Sequence, residues 1–413
     1  MQIPIALNNF KTRLTTLSKR TKQRLIAIGA VSIVACGGSG TFWMTTVQPL
    51  ISMFKDDQRA TAFQNMNRVL DSAPLTRSSS PRPLVEDLKA VPETFEYQGN
   101  KWTLDGLART TNTTGLIVMH NGDIAFERYW QGQTKETQHV SWSMAKAMVS
   151  MMIGAALADG SIKSLDDTVA TYIPEFKDAA YGSATIRQLL QMSTGIKFSE
   201  HYDDPKSDIN RFFLNLLIMH RSIGEFIHDL PAKRPHGQIM DYKSMDTQVA
   251  AMVVEHATGK PLDRYLHDRI WEPMGAERDA YWSLDKRNSA LAFCCLNATL
   301  RDFAKIGLVY LNDGRLNGKQ ILPAEWVKAS HTPDVQIGRS PDNKYVWHFK
   351  NYWWIPAYDD GDGDYLSEGV WGQYIYVNPK HNVVIVKVGG GAGPEDYEQE
   401  SLAMFRSLAR SFS

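Results

Sequence analysis

The chain of 413 residues has no net charge, since 45 Lys and Arg are matched by 45 Asp and Glu. That balance argues against nucleic acid as the main partner. It has only three cysteines, Cys36, Cys294 and Cys295, too few for a disulfide framework, so stability must come from an ordinary hydrophobic core. The adjacent pair Cys294-Cys295 reads as two buried thiols. No His-Glu-x-x-His, no paired Cys-x-x-Cys and no Walker glycine loop occurs, so no metal or cofactor is expected. Gly-x-Ser-x-Gly is also missing, which leaves a His-assisted α/β-hydrolase triad unsupported. There is no internal repeat. With 43% hydrophobic and 22% charged residues, disorder and a multi-span membrane protein are both excluded. What remains is a folded chain of one two-lobed domain, or of two domains plus an appendage.

The charges are unevenly placed. The first 55 residues carry Lys11, Arg13, Lys19, Arg20, Lys22, Arg24 and Lys55 and no acid, which leaves 38 basic against 45 acidic residues in the rest. The basic cluster is followed by an apolar run, Leu25 to Met44. Positive flank followed by about twenty apolar or small residues is the pattern of a bilayer-crossing or export segment, with the bulk of the chain outside the cytoplasm. Two versions compete: an uncleaved anchor over 25–44 with Trp43 at the outer interface, or a signal core ending at Ile33-Val34-Ala35-Cys36-Gly37, which resembles a lipoprotein processing site. Either makes the protein membrane-tethered and extracytoplasmic, on the periplasmic side of a bacterium.

The expected organisation is a basic segment 1–24, an apolar segment 25–44, a connector 45–100 and a folded domain 101–413. Asp71 to Pro83, rich in Ser, Pro and Arg, reads as unable to build a regular element. Leu116–Met119 and Ile124–Tyr129 around Asn121-Gly122 signal a β-hairpin. Gln373–Val377 and Val383–Val388 make a second. Between them lie a helical pattern at Ser143–Ala158 and further helices at 185–192, 208–219, 245–257, 262–271, 299–311 and 323–330, with a last one over Asp396–Ser411. Strands near both ends with helices between them predict an α+β fold, an antiparallel sheet assembled from both chain ends with an inserted helical lobe.

Ser143-Met144-Ala145-Lys146 sets a hydroxyl and an amine three residues apart on one helix face. Serine becomes a nucleophile when a base takes its proton, and a neutral lysine can be that base. Burial would have to bring the lysine from about 10.4 toward about 7–8. Ser-x-x-Lys also occurs at Ser52–Lys55 and Ser283–Lys286, but only Ser143 opens a long, nearly uncharged helix. A second candidate set is Tyr242-Lys243-Ser244, at the end of an irregular loop just before a helix. There a phenol could shuttle a proton and Ser244 could donate to Lys146 or to substrate. Tyr-x-Ser or Tyr-x-Asn recurs at Tyr181, Tyr281, Tyr310, Tyr365 and Tyr376, so it is context that selects Tyr242.

Several motifs in order carry a family resemblance: Val140–Lys146, Gly160–Asp167, Leu189–Ile196, His256–Leu262 and Ile270–Gly275. Together they resemble the serine-hydrolase/β-lactamase-related (class C β-lactamase-like) superfamily over roughly Thr114 to Val388, and within it the 6-aminohexanoate-dimer hydrolase group. The resemblance implies a β-lactamase/transpeptidase-like fold, with Ser143 as the acylated nucleophile, Lys146 as its base partner and Tyr242 as the second proton carrier. It also implies a substrate-lining strand, matched by Glu368-Gly369-Val370-Trp371-Gly372-Gln373-Tyr374. An N–H near Val370 would pair with that of Ser143 as an oxyanion hole, and Gly369, Trp371 and Gly372 would complete the substrate-binding stretch of this strand, its glycines letting the backbone approach the substrate. The Lys-Thr-Gly of penicillin-recognising enzymes is missing, which points away from β-lactams and toward a small-molecule amide or ester. Two rivals stand beside this reading: a penicillin-binding or β-lactamase activity, and a catalytically silent tethered binding protein. The sequence says nothing of oligomeric state.

Two features read as decoys. Asp360-Gly361-Asp362-Gly363-Asp364 lacks the Gly and Glu of a calcium loop and reads as a solvated turn. Gly389-Gly390-Gly391-Ala392-Gly393-Pro394 lacks the Lys-Ser/Thr of a phosphate loop and reads as a turn into the last helix. The aromatic run from Tyr345 to Trp354 could wall a pocket or pack a core.

Overall fold

The computed structural model describes residues 48, 52–53 and 55–412, apart from 203, 205, 217–221, 334–337, 340–346, 357–360 and 392–396. The apolar segment 25–44, with Cys36 and Trp43, lies outside the described residues. Among those described, no helix is long and apolar enough to cross a membrane.

The elements that build and support the site are, in chain order, α1 (Arg59–Phe63), β1 (Asp71–Leu75), β2 (Thr113–His120), β3 (Asp123–Tyr129), β4 (Gln138–Val140), α2 (Ala145–Ala158), α3 (Ser244–Thr258), β5 (Ala280–Leu284), β6 (Leu296–Thr299), α4 (Leu300–Leu311), β7 (Trp347–Lys350), β8 (Trp353–Pro356), β9 (Tyr365–Gly369), β10 (Gln373–Asn378), β11 (Val383–Gly389) and α5 (Glu398–Arg410). A seven-stranded antiparallel sheet runs β7-β8-β9-β10-β11-β2-β3. The first hairpin thus inserts beside the last, with Val386 opposite Ile117. Both hairpins were legible as alternating apolar runs around polar turns, and their union is the α+β architecture expected from strands at both ends.

Alternation along these strands divides the core. Ile117, Met119, Val384 and Val386 face the main core with α2 and α4, while Leu116, Val118, Val383 and Ile385 face Phe405 and Leu408 of α5. The result is a helix–sheet–helix sandwich. Helix α4 approaches the sheet at Gly307, where a β-carbon would come 2.4 Å from Val384, so only glycine allows that spacing. Helix α2 is buried from Ala145 through Ala156, as its nearly uncharged sequence requires of a helix enclosed on all sides.

From residue 55 on, the stretch read as a connector is folded onto the domain. The Ser- and Pro-rich part does form a strand: β1 lies at the edge of a second sheet, β1-β5-β6-β4, a position where Pro74 need not donate a ladder bond. Beyond it, side chains of the domain hold the backbone. Ser79 N–H donates to Glu272 (2.7 Å), Leu84 N–H to Glu277 (2.9 Å), and Lys305 Nζ to the Arg82 carbonyl (2.7 Å). Polar groups supplied from elsewhere thus replace a sheet partner.

Two other expectations are corrected. Cys294 and Cys295 form a disulfide with each other rather than two thiols, in a reversal between β5 and β6 where Cys295 takes a φ of 71°. Asp362 and Asp364 are buried rather than solvated, because α5 brings Arg410 within 3.0 Å of Asp362 and Arg406 within 2.7 Å of Asp364. Those guanidiniums, with Lys380 Nζ at 3.5 Å from Asp362, are the cations of that cluster, and among the described residues no group of acids, His or Cys is arranged to hold a metal ion. Asp360 lies outside the described residues.

Candidate active site

Ser143 sits in a one-turn 3₁₀ segment, Trp142–Met144, between β4 and α2. Trp142, with φ 44°, is in the left-handed region that side chains avoid, and it turns the chain sharply from strand into helix. Lys146, in the first turn of α2, is 2% exposed. Its Nζ lies 2.8 Å from Ser143 Oγ, 3.2 Å from Ser244 Oγ and 3.0 Å from the Phe293 carbonyl. Burial brings its pKa down from 10.5 to about 7, opposed by the charge of Glu200.

Phe293 O can only accept. Ser244 Oγ donates to Glu200 Oε1 at 2.5 Å, so toward Lys146 it accepts. A neutral amine has two N–H groups and one lone pair; Phe293 and Ser244 take the two donors. The lone pair is left facing the hydroxyl of Ser143.

Tyr242 arrives from the loop before α3. Its backbone neighbours are anchored on Met192, with Asp241 N–H donating to the Met192 carbonyl at 2.9 Å and Lys243 N–H to its sulfur at 3.4 Å. The phenol hydrogen-bonds the Ser143 side chain, and burial first, then the charge of Glu200, push its pKa well above that of a free tyrosine. Its ring is 5.1 Å from Lys146 Nζ, stacks on Trp354 at 5.7 Å and meets Phe349 edge-on at 6.1 Å. The aromatic run therefore splits: Trp354 and Phe349 wall this phenol, while Trp353 packs on Tyr310 in the core at 4.3 Å. Other tyrosines of the same triplet are engaged elsewhere, Tyr181 donating to Asp246 (2.7 Å) and Tyr376 to Asp364 (2.9 Å).

The third motif lies against the nucleophile's own backbone. A β-carbon on Gly369 would fall 2.6 Å from Ser141 O and 2.9 Å from Ser143 N, so glycine is what lets β9 pass there. Val370, Trp371 and Gly372 make the β9–β10 turn, with Trp371 and Gly372 at φ 67° and 82°. The Trp371 ring covers Trp142 at 4.8 Å. Gly372 lies beside Lys387 Nζ, which donates to its carbonyl at 3.3 Å. Ser143, Lys146, Tyr242 and Ser244 thus converge, and Gly369 adjoins them.

Three participants were not foreseen. Glu200 accepts from Ser244 Oγ, from Ser244 N–H (3.1 Å) and from Tyr202 OH (2.9 Å). Phe293 contributes only a carbonyl, which no side-chain motif could reveal. Glu200 and Tyr202 belong to an irregular stretch without periodicity, where sequence carried no signal. A separate cleft of about 270 Å³ at the far end of α2, lined by Gly154, Leu157, Leu190 and Trp326, shares no residue with this cluster. Arg187, Glu325 and Lys350 also line it, but it holds no paired nucleophile and base, so the chemistry and not the cleft marks the site.

Residues 102–407 match the family model described as Beta-lactamase. The chain is similar to the 6-aminohexanoate-dimer hydrolase of Paenarthrobacter ureafaciens, 25% identical over 299 residues that cover 69% of this chain and 74% of that protein. It is likewise similar to the solved structure named "Putative 6-aminohexanoate-dimer hydrolase from Bacillus anthracis", with TM-score 0.78 and 25% identity over 87% of this chain and 95% of that one. The octameric penicillin-binding protein homologue from Pyrococcus abyssi shares the fold at 17% identity and TM-score 0.57, over 73% of this chain and 74% of that one.

Proposed function

The chain belongs to the Beta-lactamase family and is a hydrolase related to 6-aminohexanoate-dimer hydrolases, and from that premise we propose that it cleaves an amide or ester through an acyl-enzyme on Ser143. The observation that carries this reading is the lone pair of Lys146 held at 2.8 Å from Ser143 Oγ by two acceptors that occupy its protons. The two titratable groups are pushed in opposite directions: burial brings the amine down to about 7, so that it loses its proton around neutral pH, and keeps the phenol protonated. That divergence assigns Lys146 as base and Tyr242 as acid.

In the reaction Ser143 Oγ attacks the carbonyl carbon as its proton passes to Lys146. The oxyanion meets the N–H of Ser143 and that of Val370. Tyr242 gives its proton to the departing amine or alcohol and takes one back from the Lys146 ammonium, so the serine proton ends on the leaving group. Water then attacks the ester in the reverse sense. Glu200, through Ser244, favours the positive charge Lys146 acquires in passing. The relatives are named for a 6-aminohexanoate dimer, and the missing Lys-Thr-Gly favours a small amide or ester over penicillins. We also propose that 25–44 tethers the domain outside the cytoplasm, on the strength of the basic flank and apolar run. Mass spectrometry of the mature N-terminus, with membrane fractionation, tests that: a lipidated Cys36 or a membrane-bound intact chain is expected, and a soluble cytosolic protein refutes it.

A fluorophosphonate probe tests the catalytic reading. It should label the wild type and not Ser143→Ala, and retained labelling of the variant refutes the nucleophile assignment.

A further inference from the structure

The family match begins at residue 102, yet an upstream segment reaches the catalytic cluster. Phe63 of α1 is fully buried. Its ring meets Trp142, the residue before the nucleophile, at 5.1 Å and Trp371 at 5.3 Å. Arg59, 6% exposed, holds four acceptors: Nε donates to Met53 O (3.1 Å), Nη1 to Gly390 O (3.1 Å) and Gly391 O (3.2 Å), and Nη2 to Asp56 (2.7 Å). Its guanidinium carbon lies 5.6 Å from the centre of the Trp371 ring.

The glycine run finds its use here. A β-carbon on Gly390 would come 2.9 Å from Ala60 N, and one on Gly391 would come 2.7 Å from Trp371 Cα. Three segments, 53–63, 389–391 and 370–372, therefore meet at spacings only glycine permits. Trp371 is itself in the left-handed region, a conformation that its surroundings have to hold. On one side Gln373 Nε2 donates to the Val370 and Trp371 carbonyls (3.3 and 2.8 Å). On the other are Phe63, Trp142 and Arg59.

We propose that Arg59 and Phe63 are positioning residues for catalysis: by clamping Trp371 they fix the turn that presents the Val370 N–H beside Ser143. The segment 53–63 is then a working part of the active site and not a spacer. This rests on the acyl-enzyme reading above. A donor displaced by a fraction of an ångström loses much of its value to an oxyanion while ground-state binding changes little.

The test uses the full chain with Arg59→Ala, Arg59→Lys and Phe63→Leu, the last keeping the core filled. Active sites are titrated with the fluorophosphonate, and kcat per titrated site and KM are measured on p-nitrophenyl esters. Arg59→Ala and Phe63→Leu should lower kcat per site by about 10–100-fold with KM within about threefold. Arg59→Lys should recover only a small part, because an ammonium cannot span the four acceptors. A boronate transition-state analogue should weaken by the same factor as kcat. Unchanged kcat per site in the folded variants, with only a lower Tm, overturns the proposal and leaves the acyl-enzyme reading standing. A wild type that is not labelled on Ser143 removes that reading, and this inference with it.

Discussion

Replacing Lys146 by Met should abolish activity and yet stabilise the protein near neutral pH. The folded pKa of about 7 lies below the ordinary 10.5, so between these values the unfolded chain binds the extra proton. Stability therefore rises with pH across that window: the penalty is complete below about pH 7 and gone above about pH 10.5. A shift of that size is worth about 4–5 kcal/mol at pH 7 and below. Against it, methionine leaves the Phe293 carbonyl without its donor, which costs about 1–3 kcal/mol. The net is about 2 kcal/mol in favour of Lys146→Met at pH 6–7, a Tm gain of a few degrees, reversing to a loss near pH 10.5. Lys387, whose pKa burial also lowers to about 7, is present in both proteins and cancels. Thermal unfolding from pH 6 to 10.5 reads the crossing, and kcat for a p-nitrophenyl ester should fall by about 10³-fold or more. A variant that is less stable at every pH, or that keeps a tenth of the activity, refutes a neutral buried base.

The wild-type kcat/KM should rise with pH to a plateau with an inflection near 7, as Lys146 loses its proton; a flat profile from pH 5 to 9 would speak against it. Glu200→Gln removes the charge that favours the ammonium, so the same inflection should move to lower pH, and kcat should fall because the transient ammonium loses its counter-charge. Tyr242→Phe should cut kcat by about 10²–10⁴-fold with near-native circular dichroism, and more for amides than for activated esters, whose leaving groups need no proton. Nitrocefin should turn over at least about 100-fold more slowly than a matched ester, on the scale that one missing charged contact allows.

How much of this was legible follows from distance along the chain. Ser143 and Lys146 are three residues apart, so helix geometry alone sets them on one face, and the uncharged run behind them already demands burial. The terminal hairpins are equally local, being written in alternation and turn residues, and so is the outline of the sheet they share. The basic flank and apolar run at 25–44 are local too, though they lie outside the described residues.

Tertiary structure decided everything that joins remote stretches. Tyr242 carries the same triplet as five other tyrosines, and only packing against Trp354 and Phe349 brings it to Ser143. Glu200 sits in an aperiodic loop, and the Phe293 contribution is a backbone carbonyl that any residue could offer. Asp362 and Asp364 looked solvated because their arginines are more than forty positions away on α5. Arg59 and Phe63 looked like spacer for the same reason. Amino-acid order determines conformation over a few residues, because torsions and side-chain spacing act at that range. Which distant groups share one desolvated point, and so which lysine is neutral and which phenol stays protonated, depends on burial, and burial belongs to the assembled chain.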